Sequence, residues 1–224
     1  MVDITLLTLG ITNCYLIKGR NGYILVDAGS LYKGKKFLKK LRMLDINPQD
    51  ISLIIITHGH YDHVGSLASI KRATQAKVAM TPFENKIVAQ GKVVIPKGTN
   101  VMGQIVSILG KVFSFLFKFE QVAADYLITE EFPLDDFNIE GKIVLTPGHT
   151  EGSLSVILDD GRALVGDLAM NKPIGNIFPL FADFPNQIYS SWDKLMEWGV
   201  VKVYPAHGAV FSIDLIKEGL DRRK

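Results

Sequence analysis

Apolar residues in the first part of the chain fall into short runs of strand length, separated by residues that form turns, among them Gly10 and Gly19. From Tyr32 to Leu44 the apolar spacing becomes helical, with lysines and an arginine around the opposite face. Such a basic face is typical of a solvated surface, and it can also attract an anionic substrate or lipid headgroup. We predict strands at Ile4–Leu9, Cys14–Lys18 and Tyr23–Val26.

A continuous apolar run at Ile51–Thr57 follows, which is typical of a strand buried on both faces. The rest of the chain alternates between the two periodicities. We predict further helices at Val64–Arg72, Pro82–Gln90, Gln187–Trp198 and Ile213–Leu220. We predict further strands at Lys77–Met80, Ile143–Thr146, Leu154–Leu158, Ala163–Val165 and Val201–Tyr204. This order favours two β-sheets packed face to face with helices outside, in one domain over residues 1–224.

Composition and charge only limit which classes of protein are possible. The chain has 224 residues, of which 47% are hydrophobic and 21% charged, as in ordinary globular proteins. A formal net charge of +2 is too small to indicate a nucleic-acid partner. Cys14 is the one cysteine, so neither an intrachain disulfide nor a cysteine-rich zinc site is expected. The N-terminus carries an acid and no basic region, and we therefore expect no secretory signal and a cytoplasmic location.

Metal-ligand chemistry is concentrated between Thr57 and Gly65. Three histidines and an aspartate occur within six residues, directly after the buried strand. Side chains of a regular strand alternate between faces, so the four can converge only where the strand ends in a loop and a helix begins. Imidazole and carboxylate together suit zinc and are compatible with iron or manganese. The four residues are His58, His60, Asp62 and His63.

The two remaining histidines of the chain occupy similar settings. His149 and His207 each follow a short apolar run and a proline, as expected where a strand ends in a turn. Asp167 adds a carboxylate after a third predicted strand. No histidine is left for a purely structural role, so all five are candidates for one metal centre.

These motifs resemble those of the metallo-β-lactamase superfamily, in which H-x-H-x-D-H is followed by a distant His, Asp and His. The match extends from Asp27 to His207, with a core similar to glyoxalase II enzymes and lactonases. The resemblance implies an α+β fold, a four-layer αββα sandwich of two mixed β-sheets flanked by helices. It also implies that Asp27 supports the site from behind the ligands. One metal would be held by His58, His60 and His149, and the other by Asp62, His63 and His207, with Asp167 bridging.

The chemistry implied is hydrolysis by a hydroxide that bridges two divalent metal ions, most often zinc, with manganese or iron as alternatives. Asp62 and Asp167 are then the candidate catalytic carboxylates. The expected substrate is a small-molecule ester, lactone or thioester. An aspartate at the bridging position argues against a β-lactamase. No G-x-S-x-G motif is present to suggest a serine nucleophile instead.

Two other activities of the same family stay open at this point. A persulfide dioxygenase-like oxidoreductase would use one iron, held by His58, His149 and Asp167, because a facial triad suits oxygen chemistry. A phosphodiesterase would use the dinuclear centre on a different ester. A catalytically inactive metal-binding protein is the least favoured alternative, because all seven ligand residues are present.

An unusual apolar segment separates the two halves of the motif, at about residues 97–125. Its apolar positions, from Val101 to Phe119, predict a helix with a wide apolar face. A narrow polar stripe that includes Lys111 and Lys118 argues against a membrane-spanning helix. Our hypothesis is a cap over the substrate entrance that favours an apolar acyl group, with further wall residues at Phe178, Phe181 and Phe184.

Three other roles for the helix at 101–119 stay open from the sequence. It can be a buried core helix, the face of a homodimer, or an amphipathic helix in weak contact with a membrane surface. The basic helix from Lys33 to Arg42 would assist the last of these.

Overall fold

Two mixed β-sheets form the centre of the protein. The computed structural model describes residues 2–172 and 176–222. Each sheet has six strands, and in each the spatial order follows the order along the chain. The first sheet contains β1 (Asp3–Leu9), β2 (Thr12–Gly19), β3 (Gly22–Val26), β4 (Ile51–Ile55), β5 (Lys77–Met80) and β6 (Tyr126–Leu127). The second contains β7 (Phe132–Pro133), β8 (Gly141–Leu145), β9 (Leu154–Leu158), β10 (Arg162–Gly166), β11 (Lys202–Pro205) and β12 (Phe211–Ser212).

Strand direction decides which strand ends meet at one edge. In the first sheet β3, β4 and β5 pair in parallel, so their carboxyl ends share an edge. In the second sheet β8 and β10 are each antiparallel to β9 between them, and β10 is parallel to β11. The strands β8, β10 and β11 therefore all point the same way, and the loops that follow them meet at one edge.

Among the described residues, seven α-helices accompany the sheets: α1 (Gly34–Met43), α2 (Tyr61–Val64), α3 (Leu67–Thr74), α4 (Pro82–Val88), α5 (Val101–Val112), α6 (Pro185–Glu197) and α7 (Asp214–Asp221). Helices α1 and α3 cover the outer face of the first sheet, where Phe37 and Leu67 are fully buried. Helices α6 and α7 cover the outer face of the second sheet, with Trp192 and Ile216 buried.

Side chains alternate between the two faces of each strand, so the buried apolar residues form three layers, one between the sheets and one outside each sheet. On β4, Leu53 and Ile55 face the second sheet, while Ile54 faces the helices on the other side. The layer between the sheets also takes Val156 of β9 and Leu164 of β10. Helix, sheet, sheet and helix thus form the αββα sandwich that was expected, and that prediction is confirmed.

Element positions agree with the sequence pattern except at some boundaries. The buried strand ends at Ile55 rather than Thr57, because the next residues leave the sheet to form the metal-ligand loop. The helix expected at Val64–Arg72 is two helices, α2 and α3, separated at Gly65-Ser66. A Cβ at Gly65 would lie 2.4 Å from the backbone of Leu31, so the chain passes too closely for any other residue. The strands β6, β7 and β12 were missed, since two residues carry no periodicity.

Helix α5 is shorter than the predicted 101–119 segment, and its large apolar side chains point away from the body of the protein. It ends at Val112, and a short 3-10 helix at Ser114–Phe117 follows. Only Gly103 and Ser107 of α5 are buried, while its large apolar side chains are exposed. A Cβ at Gly103 would lie 2.5 Å from the carbonyl oxygen of Leu180, so the small side of the helix is the one against the body. The core-helix alternative is therefore wrong.

Of the three phenylalanines suggested as further walls, Phe178 has a different role. It packs against Tyr189 and Trp192 in the layer outside the second sheet, with ring centroids 5.2 and 5.8 Å away. Phe181 lies in the loop beside the metal-ligand residues, and Phe184 is partly exposed. In the described part of the chain, no helix has the length and apolarity needed to cross a membrane.

Candidate metal centre

The H-x-H-x-D-H motif converges because it changes conformation in its middle. His58 and His60 lie in the extended loop after β4, and His60 caps the first turn of α2 in an extended conformation. Asp62 and His63 then project from that helical turn, which the His63 amide closes by donating to the His60 carbonyl at 2.9 Å. All four side chains are buried. The loop and the helix thus direct all four side chains to one point, which a regular strand could not do.

The other three predicted ligands come from the second sheet. His149, Asp167 and His207 follow the carboxyl ends of β8, β10 and β11, which share one edge. Asp167 follows Gly166, whose φ of 55° turns the chain out of the strand. The structure therefore brings all seven residues to the same edge of the sandwich.

Three imidazole nitrogens meet in what we call the first triad, His58, His60 and His149. His149 Nε2 lies 3.1 Å from His58 Nε2 and 3.0 Å from His60 Nδ1. In a tetrahedral zinc site, nitrogens at the usual bond length are about 3.3 Å apart. The three lone pairs therefore have nearly the spacing that one small cation requires.

The second triad consists of Asp62, His63 and His207. The Oδ2 atom of Asp62 lies 3.2 Å from His207 Nε2 and 3.8 Å from His63 Nε2. One candidate ligand atom from each residue lies within 4.8 Å of the others, as in the first triad. Two nitrogens and one anionic oxygen again form a donor set suited to a divalent metal.

Asp167 lies between the triads and faces both. Its Oδ2 is 3.6 Å from His149 Nε2 of the first triad. Its Oδ1 is 3.5 Å from His63 Nε2 and 3.4 Å from His207 Nε2 of the second. One carboxylate with an oxygen toward each triad is the arrangement that a bridging ligand needs.

Buried atoms without partners test whether metal ions fit here. Among the described residues, His63 Nε2 and Asp167 Oδ1 are buried and form no hydrogen bond. Leaving such atoms unpaired costs free energy, and native proteins rarely do so. Both atoms belong to the second triad or its bridge, where a cation would satisfy them. His60 Nε2 is also unpartnered, but it lies on the far side of a ring whose Nδ1 faces the first triad.

The opposite ring nitrogens of two histidines meet side-chain acceptors. His63 Nδ1 lies 2.8 Å from Asp27 Oδ2, and His58 Nδ1 lies 3.1 Å from Thr57 Oγ1. Asp27 also accepts from the Thr57 amide at 2.9 Å and from its hydroxyl. Its φ of 62° places it in the left-handed region, which non-glycine residues rarely adopt outside constrained sites. Asp27 thus makes the contact expected of it behind the ligands.

Backbone carbonyls hold two more rings. His149 Nδ1 donates to the Phe181 carbonyl at 2.8 Å, and His207 Nδ1 donates to the Ile11 carbonyl at 3.1 Å. A carbonyl can only accept, so the proton of each neutral ring is on Nδ1 and the Nε2 lone pair faces the centre. These contacts orient both rings for metal binding.

Burial makes the first triad neutral. Desolvation, together with neighbouring histidines, lowers the pKa of His58 well below its usual value and that of His60 to about 3. Burial also lowers the pKa of His149, although Asp167 opposes it. Neutral imidazole is the form that binds metal, so protons do not compete strongly for this triad.

The second triad and the bridge behave differently. Burial would lower the pKa of His63 and of His207, but the carboxylates around them outweigh it and raise both values. Burial would likewise raise the pKa of Asp62, yet His63 and His207 hold it at about 2. The same two histidines bring the pKa of Asp167 well below its usual value despite burial. Opposite charges therefore support one another here, and metal binding has to displace protons from the histidines.

Glu84 is a buried residue near the site that the sequence analysis did not single out. Its Oε2 accepts from the Gly59 amide at 2.7 Å, and its Oε1 accepts from the Thr150 hydroxyl at 2.6 Å. Gly59 separates two ligands of the first triad, and Thr150 follows the third, so Glu84 ties both loops together. Its spacing from Thr81 matches a helix capping box. From the sequence alone, capping of α4 is therefore a sufficient reason for a glutamate at this position, and nothing indicates its contacts with the ligand loops.

Thr12 was missed in the same way. Its hydroxyl lies 2.8 Å from the carbonyl of Asp62 and 3.2 Å from Oδ2 of the same residue. Thr12 begins β2, fifty positions earlier in the chain. A threonine in a strand carries no signal that distinguishes such a contact from ordinary packing.

The fold and the site together define a class: a four-layer αββα protein with a buried centre of histidines and aspartates suited to metal ions. The model of the metallo-beta-lactamase superfamily matches residues 7–207, and the chain belongs to that superfamily. The expected family membership is confirmed.

Curated relatives of this chain include proteins named as hydrolases. The chain is 26% identical to a probable metallo-hydrolase of Bacillus subtilis, YflN, over 71% of this chain and 61% of that protein. It is 26% identical to the hydroxyacylglutathione hydrolase GloC of Haemophilus influenzae, over 80% and 74% of the two chains. The chain spans 61% of the length of the first curated relatives that it matches.

The fold is shared with a solved archaeal protein of the superfamily, ST1585 from Sulfolobus tokodaii. The two superpose with a TM-score of 0.68 and 23% sequence identity. The match covers 98% of this chain and 85% of that one.

Proposed function

We propose that the protein is a hydrolase with two metal ions that cleaves an ester, lactone or thioester. The first triad and the second triad would hold one ion each, and Asp167 would be a ligand shared by both. Zinc is the proposed metal, because nitrogen-rich sets completed by carboxylate oxygen suit it. The observation that carries the proposal is that the two oxygens of Asp167 face different triads.

Divalent ions, when bound there, would supply an activated water and polarisation of the substrate oxygen. The protein's own contribution is to hold the donors rigidly. Asp27, Thr57 and two backbone carbonyls fix four imidazole rings, so little reorganisation remains when substrate arrives. Asp62 of the second triad is the proposed proton relay, since its carboxylate stays ionised at neutral pH.

A cavity of about 290 Å³ beside His60 and Gly59 supports an acyl substrate. Its apolar lining includes Phe83, Ile87 and Val94, which suit an acyl chain. The ammonium groups of Lys86 and Lys92 also border it and suit an anionic part of the substrate. The hydrolase GloC, by its name, acts on a hydroxyacyl thioester of glutathione, and we therefore place thioesters first among the substrates to test.

The predicted cap has support from contacts at both ends of its segment. Phe117, just after α5, stacks on Tyr61 within the metal motif, with ring centroids 4.2 Å apart. Just before α5, the Thr99 amide donates to the Leu180 carbonyl and the Lys97 carbonyl accepts from the Ala182 amide. These two contacts lie on either side of Phe181, whose carbonyl holds His149. Both ends of the segment are therefore joined to the metal centre.

The test begins with metal content per chain in protein purified without added metal. We expect two zinc ions per chain in the wild type, with hydrolysis of acyl thioesters, oxygen esters or lactones. Asp167→Asn, which removes one shared anionic ligand, should lower both the metal content and the turnover. Asp159→Asn, on an exposed turn, is the matched control and should change neither.

Other outcomes would overturn the proposal. A single iron per chain with oxygen uptake on a persulfide substrate would establish the mononuclear dioxygenase instead. Cleavage of phosphodiesters without cleavage of any carboxylic ester or thioester would establish the phosphodiesterase. Two zinc ions in Asp167→Asn with unchanged turnover would remove the observation on which the dinuclear mechanism depends.

A further inference from the structure

Helix α5 exposes apolar side chains around most of its circumference. Its contacts with the body involve small residues spaced one or two turns apart, Gly103, Ser107 and Gly110. Soluble proteins rarely leave a continuous apolar surface of this kind uncovered. The apolar face consists of Val101, Met102, Ile105, Ile108, Leu109 and Val112, all exposed.

Aromatic residues extend the apolar face at its C-terminal end. Phe113 and Phe115 are exposed there, while Phe117 turns inward to stack on Tyr61. The apolar face is therefore a raised ridge attached to the edge of the sandwich at which the metal centre lies. A ridge of this form presents its side chains in several directions, which suits insertion into a soft medium better than contact with a flat partner.

The charged residues of the chain segment that carries the apolar face have one sign. Between Glu84 and Glu120 the sequence contains five lysines and no acidic residue. Within residues 2–172 and 176–222, none of the five forms an ion pair. All five are exposed, and they are Lys86, Lys92, Lys97, Lys111 and Lys118.

Two occupants suit an apolar surface, a second copy of the chain and a lipid bilayer, and the charge of the segment distinguishes them. In a symmetric dimer the same patch meets itself, so Lys111 and Lys118 of one copy would approach those of the other. An anionic lipid surface instead attracts each lysine, while the apolar side chains enter the boundary between headgroups and acyl chains. We propose that the apolar face of α5, with its flanking lysines, docks the protein on the surface of an anionic lipid bilayer.

The test is co-sedimentation of the full-length protein with lipid vesicles. We expect binding to vesicles of phosphatidylcholine and phosphatidylglycerol in equal parts, much weaker binding to phosphatidylcholine alone, and loss of binding at high salt. No metal or substrate is needed, so the result is separate from the outcome of the hydrolase assays.

Two sets of variants examine the apolar and the charged contributions. Ile108→Glu, at a side chain that is 62% exposed, should lower the partition coefficient at least about tenfold. Val201→Glu, at a side chain that is 57% exposed and outside the segment, is its control and should leave binding unchanged. Lys111→Ala with Lys118→Ala should lower binding about 30-fold, whereas arginine at both positions should preserve it.

Three results would overturn the proposal. The first is the absence of wild-type binding to the anionic vesicles. The second is an equal loss of binding in Ile108→Glu and Val201→Glu, with both variants folded by circular dichroism. The third is a concentration-dependent dimer in sedimentation velocity that Ile108→Glu abolishes, without vesicle binding by the wild type, since this would establish a second copy of the chain as the occupant.

Discussion

The two triads of the metal centre lie side by side, yet they are built on different principles. The first triad has three imidazoles whose pKa values burial lowers, so it is neutral before metal arrives. The second triad combines a carboxylate with two imidazoles whose pKa values neighbouring carboxylates raise. Similar donor atoms at similar distances thus differ in how strongly protons compete with metal. Charge in the surroundings, rather than ligand type, makes the difference.

This asymmetry comes from the carboxylates around the second triad, and Asp27, which supports His63, is one of them. His63 of the second triad contacts the carboxylate of Asp27, whereas His149 of the first contacts only a carbonyl. A carboxylate adds negative charge where a carbonyl adds only a dipole, and it favours the protonated form of the ring that it contacts. The first two predictions below test consequences of that difference, and the third examines Glu84, which supports the loops of the first triad.

The largest expected effect is the loss of metal from the second triad in acid. His63 and His207 have raised pKa values and bind protons first as the pH falls, so metal must displace those protons. Affinity should fall by up to about 100-fold per pH unit where two protons are displaced. The first triad, with lowered values, should retain its metal to lower pH.

Metal content measured after dialysis at decreasing pH checks this order. We expect a step from two ions per chain to one, followed by loss of the last ion at lower pH. His207→Ala should remove the first step and keep the second. Simultaneous loss of both ions, or release from the first triad first, would contradict the asymmetry.

The second effect is that of Asp27→Asn. Replacing this carboxylate leaves the contact with His63 Nδ1 but removes the charge, and outer partners of this kind alter metal affinity or activity by about 10–100-fold. The loss should fall on the second triad, because the Asp27 carboxylate contacts His63 directly. Competition with a chelator at fixed pH measures the affinity. Asp50→Asn, at the exposed end of a short 3-10 helix, is a control, and a greater loss at the first triad would be the contrary result.

The smallest effect is expected for Glu84→Gln, which can keep a contact to Gly59 and to Thr150. Burial raises the pKa of Glu84 above 4.5, although hydrogen bonds from Thr150 and Gly59 oppose it. The folded state therefore binds more protons than the unfolded state between 4.5 and the raised value. The protonated Glu84 carboxyl therefore contributes to the free energy of unfolding below this pH window, and that contribution is lost as the pH rises through the window.

Urea denaturation of the wild type and Glu84→Gln across that window, in the same metal state, measures this contribution. The variant should lack the downward slope and should lose turnover only a few-fold. Glu131→Gln, an exposed glutamate, should retain the wild-type slope. If Glu84→Gln keeps the slope as well, the buried carboxyl is not its source.

The sequence by itself determined the ligand set and the layers. His58, His60, Asp62 and His63 are within six residues of one another, so a metal centre follows from local spacing and donor chemistry. The strands and the main helices followed from apolar periods of two and of about 3.6, because each element must bury one face. Those signals are local, and local signals can be seen without coordinates.

Only the tertiary structure decided how distant loops meet. It brought Thr12 to Asp62, and it brought Glu84 to Gly59 and Thr150, across sheet edges that no spacing reveals. It also decided the orientation of α5, which the sequence had left open: its small residues face the body and its large apolar residues face outward. Apolar periodicity shows that a helix has a distinct face, but the same pattern results whether that face meets core, partner or lipid. Which of them it meets depends on the shape of the surface on which the helix lies, and that shape is set by the whole fold.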